Sequence, residues 1–172
     1  MDLMKEMLAG NSKLHAVRVA RLIGDYPGLM DELIKLVTSE NQDFARKAAW
    51  VLRSCYELDR NCLKPHLPRL IKFIYKEKIH DAVKRNILGI LKTSEIPRKY
   101  SGKLLEKCFQ FIRSGRESIA VKAFSMDIIN CLAEGDPYIL RELCLIIEDQ
   151  LPYASAGIIS KSRIILSKRQ EK

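Results

Sequence analysis

The sequence predicts an all-α protein, and three observations carry that prediction. Apolar residues recur at three- and four-residue spacings along most of the chain, and no useful length alternates with the period of two that a half-buried strand requires. The eight glycines, six prolines and several polar clusters read as punctuation between helix-length segments. A unit of two short amphipathic helices also recurs, most legibly at Pro65–Tyr75 followed by Asp81–Leu91.

Taken in order, residues 2–9 predict a short amphipathic start with Leu3, Met4, Met7 and Leu8 on one side. Gly10 and Asn11 end it, and Ser12 is placed to cap the next helix, about Lys13–Ile23, which Gly24 is expected to stop. Pro27 opens a helix through Val37, with Leu29, Leu33, Leu36 and Val37 on the helical period. Ser39–Asp43 forms a polar hinge, after which Phe44, Ala48, Leu52 and Cys55 mark an apolar stripe. Ala45 and Ala49 lie beside that stripe, small enough for a neighbouring helix to approach closely. A linker at Asp59–Asn61 leads to a helix of about Lys64–Lys76.

His80 and Asp81 open the next helix, with Val83, Ile87, Ile90 and Leu91 on one face. Thr93–Lys99 is the least regular stretch, and a helix of about Gly102–Arg113 follows it. The segment Ile119–Leu132 is expected to bury Ala120, Ala123, Phe124, Ile128 and Cys131. The clearest boundary is Glu134-Gly-Asp-Pro137. Gly135 suits a position past a helix end, Asp136 an N-cap and Pro137 a first helical position. A helix to about Gln150 and a last one over about Ser155–Arg169 complete the chain.

At 172 residues, 47% hydrophobic and 30% charged, the chain has the composition of a soluble globular protein, read as a single domain over 1–172. Its longest apolar runs, such as Leu143–Ile147, fall far short of the ~20 residues of a membrane span. The start, Met1–Gly10, carries two acids and no long apolar region, unlike a secretory signal. Five cysteines with no C-x-x-C pair suit a reduced, cytoplasmic setting, where a free thiol packs as a small hydrophobe. The net charge of +9 is concentrated: residues 46–99 hold fourteen Lys/Arg against five Asp/Glu. A basic zone of that kind raises the local concentration of anionic partners.

Aligning the helices brings out a recurring dipeptide, a small residue followed by a cation: Val17-Arg18, Ala45-Arg46, Val83-Lys84, Val121-Lys122 and, more weakly, Ser162-Arg163. A Leu/Ile-rich helix lies upstream of each later copy, as in Leu33–Val37, Leu70–Ile74, Cys108–Ile112 and Leu143–Ile147. A pair of helices cannot bury its apolar face alone, so such units stack on their neighbours.

On these residues the chain resembles the HEAT-repeat family of α-solenoids. Pro27 with Asp43-Phe-Ala-Arg46, and Pro65 with Asp81-Ala-Val-Lys84, match its pattern best. The third copy keeps Glu117 and Val121-Lys122 without the proline; the last keeps Pro137 without the Asp and Val. The resemblance covers nearly the whole chain. It implies a right-handed α-α superhelix of about four repeats with terminal helices as caps, armadillo-like in architecture, whose partners bind on a concave helix layer.

The chemistry-bearing residues point away from catalysis. His15, His66 and His80 are far apart in sequence, and none has a Cys or a second His at ligand spacing, so neither a metal nor a cofactor is expected. No phosphate-binding glycine loop or nucleophile elbow occurs. The HEAT-like glycosylases of alkylated DNA place aromatics and a catalytic Asp in a basic groove. Here the single tryptophan is Trp50, and Ser54 stands one turn later.

Trp50 shares a helix face with Arg46, Lys47 and Arg53, which suits either an anion held beside a stacking ring or an indole packed under cationic side chains. Leu88 and Met126 fill the equivalent place in the later repeats, which favours packing. Arg69, Lys72, Lys76, Lys84 and Arg85 extend the basic set. Asp43 with Arg46 or Lys47, and Asp81 with Lys84 or Arg85, also form helix-spaced ion pairs of ~0.2–0.5 kcal/mol each. The expected function is a scaffold that binds a protein or peptide, with no membrane and no small-molecule substrate. Nucleic-acid binding through 46–99 is the alternative, and a glycosylase the remote third.

Overall fold

Side chains that close the first turn of a helix set most of its boundaries. The computed structural model describes residues 2–170, and they form ten α-helices and two single turns of 3-10 helix. The helices follow one another as five hairpins, and the chain divides into two compact units, Met1–Ser94 and Glu95–Lys172.

The first unit holds α1 (Leu3–Leu8), α2 (Lys13–Asp25), α3 (Gly28–Val37), α4 (Gln42–Leu58), α5 (Leu67–Ile74) and α6 (Asp81–Leu91). Ser12 Oγ accepts from the His15 N–H at 3.1 Å, and Asn41 Oδ1 accepts from Asp43 and Phe44. Each satisfies donors that a helix start leaves unpaired. The long α4 is the hub, packing against α1, α2, α3 and α6. Ala45, Ala48 and Ala49 are buried in it as their size suggested, and Ala48 and Leu52 are sealed completely. Leu33, Ile34, Leu70, Ile71, Ile87 and Leu88 complete this core. Burying each such side chain is worth ~1.5–3 kcal/mol against exposure.

The second unit holds α7 (Arg98–Arg113), α8 (Ile119–Leu132), α9 (Pro137–Gln150) and α10 (Ala156–Gln170). Here α8 is central, in contact with α7, α9 and α10. The predicted boundary holds: Asp136 Oδ1 accepts from the Tyr138 and Ile139 N–H groups, and Gly135 has φ +89°, a conformation that costs a side-chain-bearing residue. The Gln150 Nε2 donates to the Ile112 carbonyl at 2.8 Å, tying α9 back to α7.

Several boundaries and faces differ from the sequence expectation. Glycine proves a weak stop: Gly24, Gly89 and Gly102 all lie inside helices. The α2 helix ends instead at Asp25, because Pro27 forces Tyr26 out of helical geometry (φ −128°, ψ 82°). Pro97 itself is extended at ψ 132° and serves as the N-cap, and α7 starts at Arg98. The segment Lys64–Lys76 splits into a 3-10 turn, Lys64–His66, and the shorter α5. Leu8 is exposed rather than packed with Leu3 and Met7.

In α8 the buried residues are Val121, Ser125, Met126, Ile128 and Ile129, while Ala120, Ala123 and Phe124 are half-buried and Cys131 is exposed. That helix is apolar almost all round, so its periodicity did not define a face.

Candidate functional site

The recurring dipeptide falls on the second helix of every hairpin. Its small member is buried at Ala45, Val83, Val121 and Ser162, and Arg18, Arg46 and Arg163 are exposed beside it. On α4 and α6 this arrangement borders a groove of about 380 Å³, which Asn11 closes from the turn before α2. Trp50 lines it, half-buried, although Leu88 and Met126 at the equivalent repeat positions are completely buried. Arg46, Lys47, Arg85, His80 and Asn86 surround the indole, and no Asp or Glu lines the groove.

Local contacts hold these side chains in place. Lys47 Nζ donates to the Gly10 carbonyl at 3.4 Å, joining α4 to the α1–α2 turn. A Cβ at Gly10 would stand 2.5 Å from the His15 ring, so this close approach requires glycine. The His15 Nε2 in turn meets the Glu6 carbonyl at 2.8 Å. His80 Nδ1 accepts the Ala82 N–H at 3.1 Å, which places the proton of the neutral ring on Nε2. Asn86 Nδ2 donates to the Ala82 carbonyl at 2.9 Å and keeps its own oxygen as an acceptor. Arg46 is 3.6 Å from Asp43, a solvated pair at a helix start. Among the described residues, the Trp50 indole N–H, the Arg85 guanidinium and the Asn11 amide make no hydrogen bond.

Of the basic set predicted around Trp50, the structure gathers Arg46, Lys47 and Arg85 at the groove. The others lie elsewhere. Arg53 is held to Glu57, Nε to Oε1 at 3.0 Å. Arg69 donates to Thr38 Oγ1 at 3.3 Å, Lys72 is exposed on α5, and Lys76 Nζ sits 5.2 Å from the centre of the Phe73 ring. Lys84 is half-buried on α6 and does not line the groove. The residues that sequence reasoning missed are Asn11, His80 and Asn86. Asn86 had a signal: it occupies the repeat position filled by Ala20, Ala48 and Phe124 in the other copies, where a polar side chain is out of pattern.

Ser54, one turn after Trp50, is buried and donates to the Trp50 carbonyl at 3.2 Å, so it faces away from the groove. The remaining histidine, His66, has Nδ1 3.7 Å from Asp31. All five cysteines are free. Burial pushes the Cys55 and Cys108 thiols up to about 12, with nearby Cys62 adding to the rise at Cys55 and a hydrogen bond to Ser125 opposing it at Cys108. Cys62 is raised to about 11 by burial and then by Asp59.

The second unit has its own groove, about 370 Å³, on the first helices α7 and α9, with Leu105, Phe109 and Ile139 among its walls. There the cation is engaged: Arg113 pairs with Glu142 and stacks 5.2 Å from the centre of the Phe109 ring.

No described helix is long and apolar enough to cross a membrane. No curated protein and no solved structure matches the chain. A family model described as HEAT repeat domain matches residues 4–169. That match, on an all-α chain of consecutive helical hairpins with a buried small residue before four of the five repeat cations, places this protein in the HEAT-repeat family of helical scaffolds.

Proposed function

We propose that the chain is a non-catalytic scaffold whose first unit binds a segment of a partner protein in the groove between α4 and α6. One observation carries the reading. The only tryptophan stands half-buried at a position that the two following repeats seal with Leu88 and Met126, and it shares its groove with Arg85 and Asn11, which make no hydrogen bond among the described residues. An amphipathic ring with a free N–H, set among such donors, is the composition of binding hot spots. The family match across both units supports treating residues 4–169 as one repeat domain, and five free thiols suit a reducing, cytoplasmic compartment.

Selection of a random displayed peptide library on the immobilised protein tests the reading. Binders should be enriched on the wild type and lost on Trp50→Ala. A protein that selects no peptides, or the same peptides with and without the indole, would overturn it.

The charge of segment 46–99 favours nucleic acid as the second reading. A complex of that kind should weaken with salt at a slope of about −0.9 per phosphate neutralised on duplex DNA. Against it, Arg53 is already paired with Glu57, Arg69 and Lys72 belong to α5, and Lys76 follows that helix, so none of them lines the groove. Ser54, buried where the glycosylase pattern has an acid, removes the support for that activity.

A further inference from the structure

We infer that the segment bound in the α4–α6 groove is acidic, with carboxylates set against Arg46 and Arg85 and an apolar side chain against Trp50. The inference rests on the groove being a peptide site, and adds the chemistry of the peptide. The wall is donor-rich and acceptor-poor: the Arg46 and Arg85 guanidiniums, the Lys47 ammonium, the His80 Nε2–H and the Trp50 indole N–H meet there without one carboxylate in the lining. A neutral segment laid over them would strip water from cations and supply too few acceptors in return, and a basic segment would be repelled. Carboxylates answer both problems through charge-assisted hydrogen bonds, bidentate where guanidinium meets carboxylate.

Two details favour a peptide over a nucleic acid as the bearer of the negative charge. The Asn11 amide both donates and accepts, and Asn86, its Nδ2 bonded to Ala82, offers an acceptor oxygen. A peptide backbone presents N–H and C=O groups in turn and can meet both, whereas a phosphodiester offers acceptors alone. The aromatic surface is also one ring, in a groove of about 380 Å³. A strand-tracking surface uses successive stacking rings along a continuous basic path. Here that path is interrupted one turn beyond Trp50, where Glu57 holds Arg53.

The test reads the composition of the Trp50-dependent peptides selected on the full chain, then measures synthetic copies by the emission of Trp50, the chain's single tryptophan. The selected peptides should carry an excess of Asp and Glu with at least one apolar residue. Arg46→Gln and Arg85→Gln, both at exposed positions, should keep the native circular dichroism and melting temperature. Each should weaken the acidic peptide by about tenfold or more. Replacing its Asp and Glu by Asn and Gln should weaken binding comparably.

Trp50-dependent peptides that are neutral or basic, or that bind both arginine variants unchanged, would overturn the acidic assignment while leaving the peptide site standing. An absence of Trp50-dependent peptides would overturn both. A single-stranded oligothymidylate that shifts Trp50 emission at lower concentration than any selected peptide, with a steep salt dependence, would overturn both in favour of nucleic acid. Inorganic phosphate serves as the control for a bare anion and should not compete.

Discussion

The two units are built from the same hairpin but differ in what they set against particular cations. In the second unit, Lys161 on α10 reaches Asp127 on α8 at 2.7 Å, each side chain only 25% exposed, and Arg113 is paired with Glu142. In the first unit, Arg85 has no acceptor among the described residues, Arg46 has only a solvated contact with Asp43, and both line the groove that holds the half-buried indole. Each unit thus carries cations along its hairpins, and what the neighbouring helix presents decides the role of each. Where an acid is presented, the cation becomes part of the packing. Where the neighbour presents Asn86 and His80 instead, the cation remains available to a ligand. Local charge density alone does not separate these cases.

The largest test of this comparison removes the hub. Leu52→Ala in α4 should cost ~2–5 kcal/mol in chemical denaturation, since its side chain is wholly buried and α4 touches four other helices of the first unit. Leu104→Ala in α7, also wholly buried, should cost a similar amount. The difference should lie in binding: at protein concentrations and temperatures where both variants remain folded, only the first should disturb the groove. A loss of only a few tenths of a kcal/mol at Leu52 would show that α4 is not the centre of its unit.

Alkaline pH reaches both units through their buried thiols. An unfolded Cys releases its proton near 9.0, while folded Cys55 and Cys108 keep theirs to about 12, so above pH 9 the folded state binds more protons than the unfolded state. The thiols' contribution to stability is therefore constant below about pH 8 and falls as pH rises from 9 towards 12, by about 1.4 kcal/mol per pH unit for each thiol. Denaturation midpoints measured across that range should flatten stepwise in Cys55→Ala and in the double variant with Cys108→Ala. An unchanged slope in the double variant would assign the alkaline loss to other groups.

The smallest effect is also the sharpest contrast. Removing Lys161 should destabilise by about 1 kcal/mol, because Asp127 would lose a partner at a site only partly open to water. Arg85→Ala should change stability by less than ~0.5 kcal/mol, as exposed positions without partners do. Equal losses at the two sites, read by thermal denaturation, would erase the distinction between the units.

Much of the fold was legible in the sequence because helix periodicity, caps and repeats are local. Ser12, Asn41 and Asp136 act within three residues of their partners, and the Glu134–Pro137 boundary is read from four adjacent residues. Faces were harder. The α8 helix is apolar on most sides, so its neighbours had to choose which residues to bury, and they chose Val121 and Ile129 over Phe124 and Cys131.

The site was legible in half. Arg46, Lys47 and Trp50 share one helix face, and helical spacing is enough to group them. Arg85, His80 and Asn86 join them only because α6 packs beside α4, more than thirty residues later in the chain. What the sequence by itself determined is the hairpin: where most of the helices start, the small residue before each repeat cation and where the positive charge accumulates. All of these follow from interactions spanning a few residues. Which cations would be neutralised and which left facing an open groove was decided by the tertiary structure, because an acceptor matters only where packing of distant segments brings it within hydrogen-bond reach.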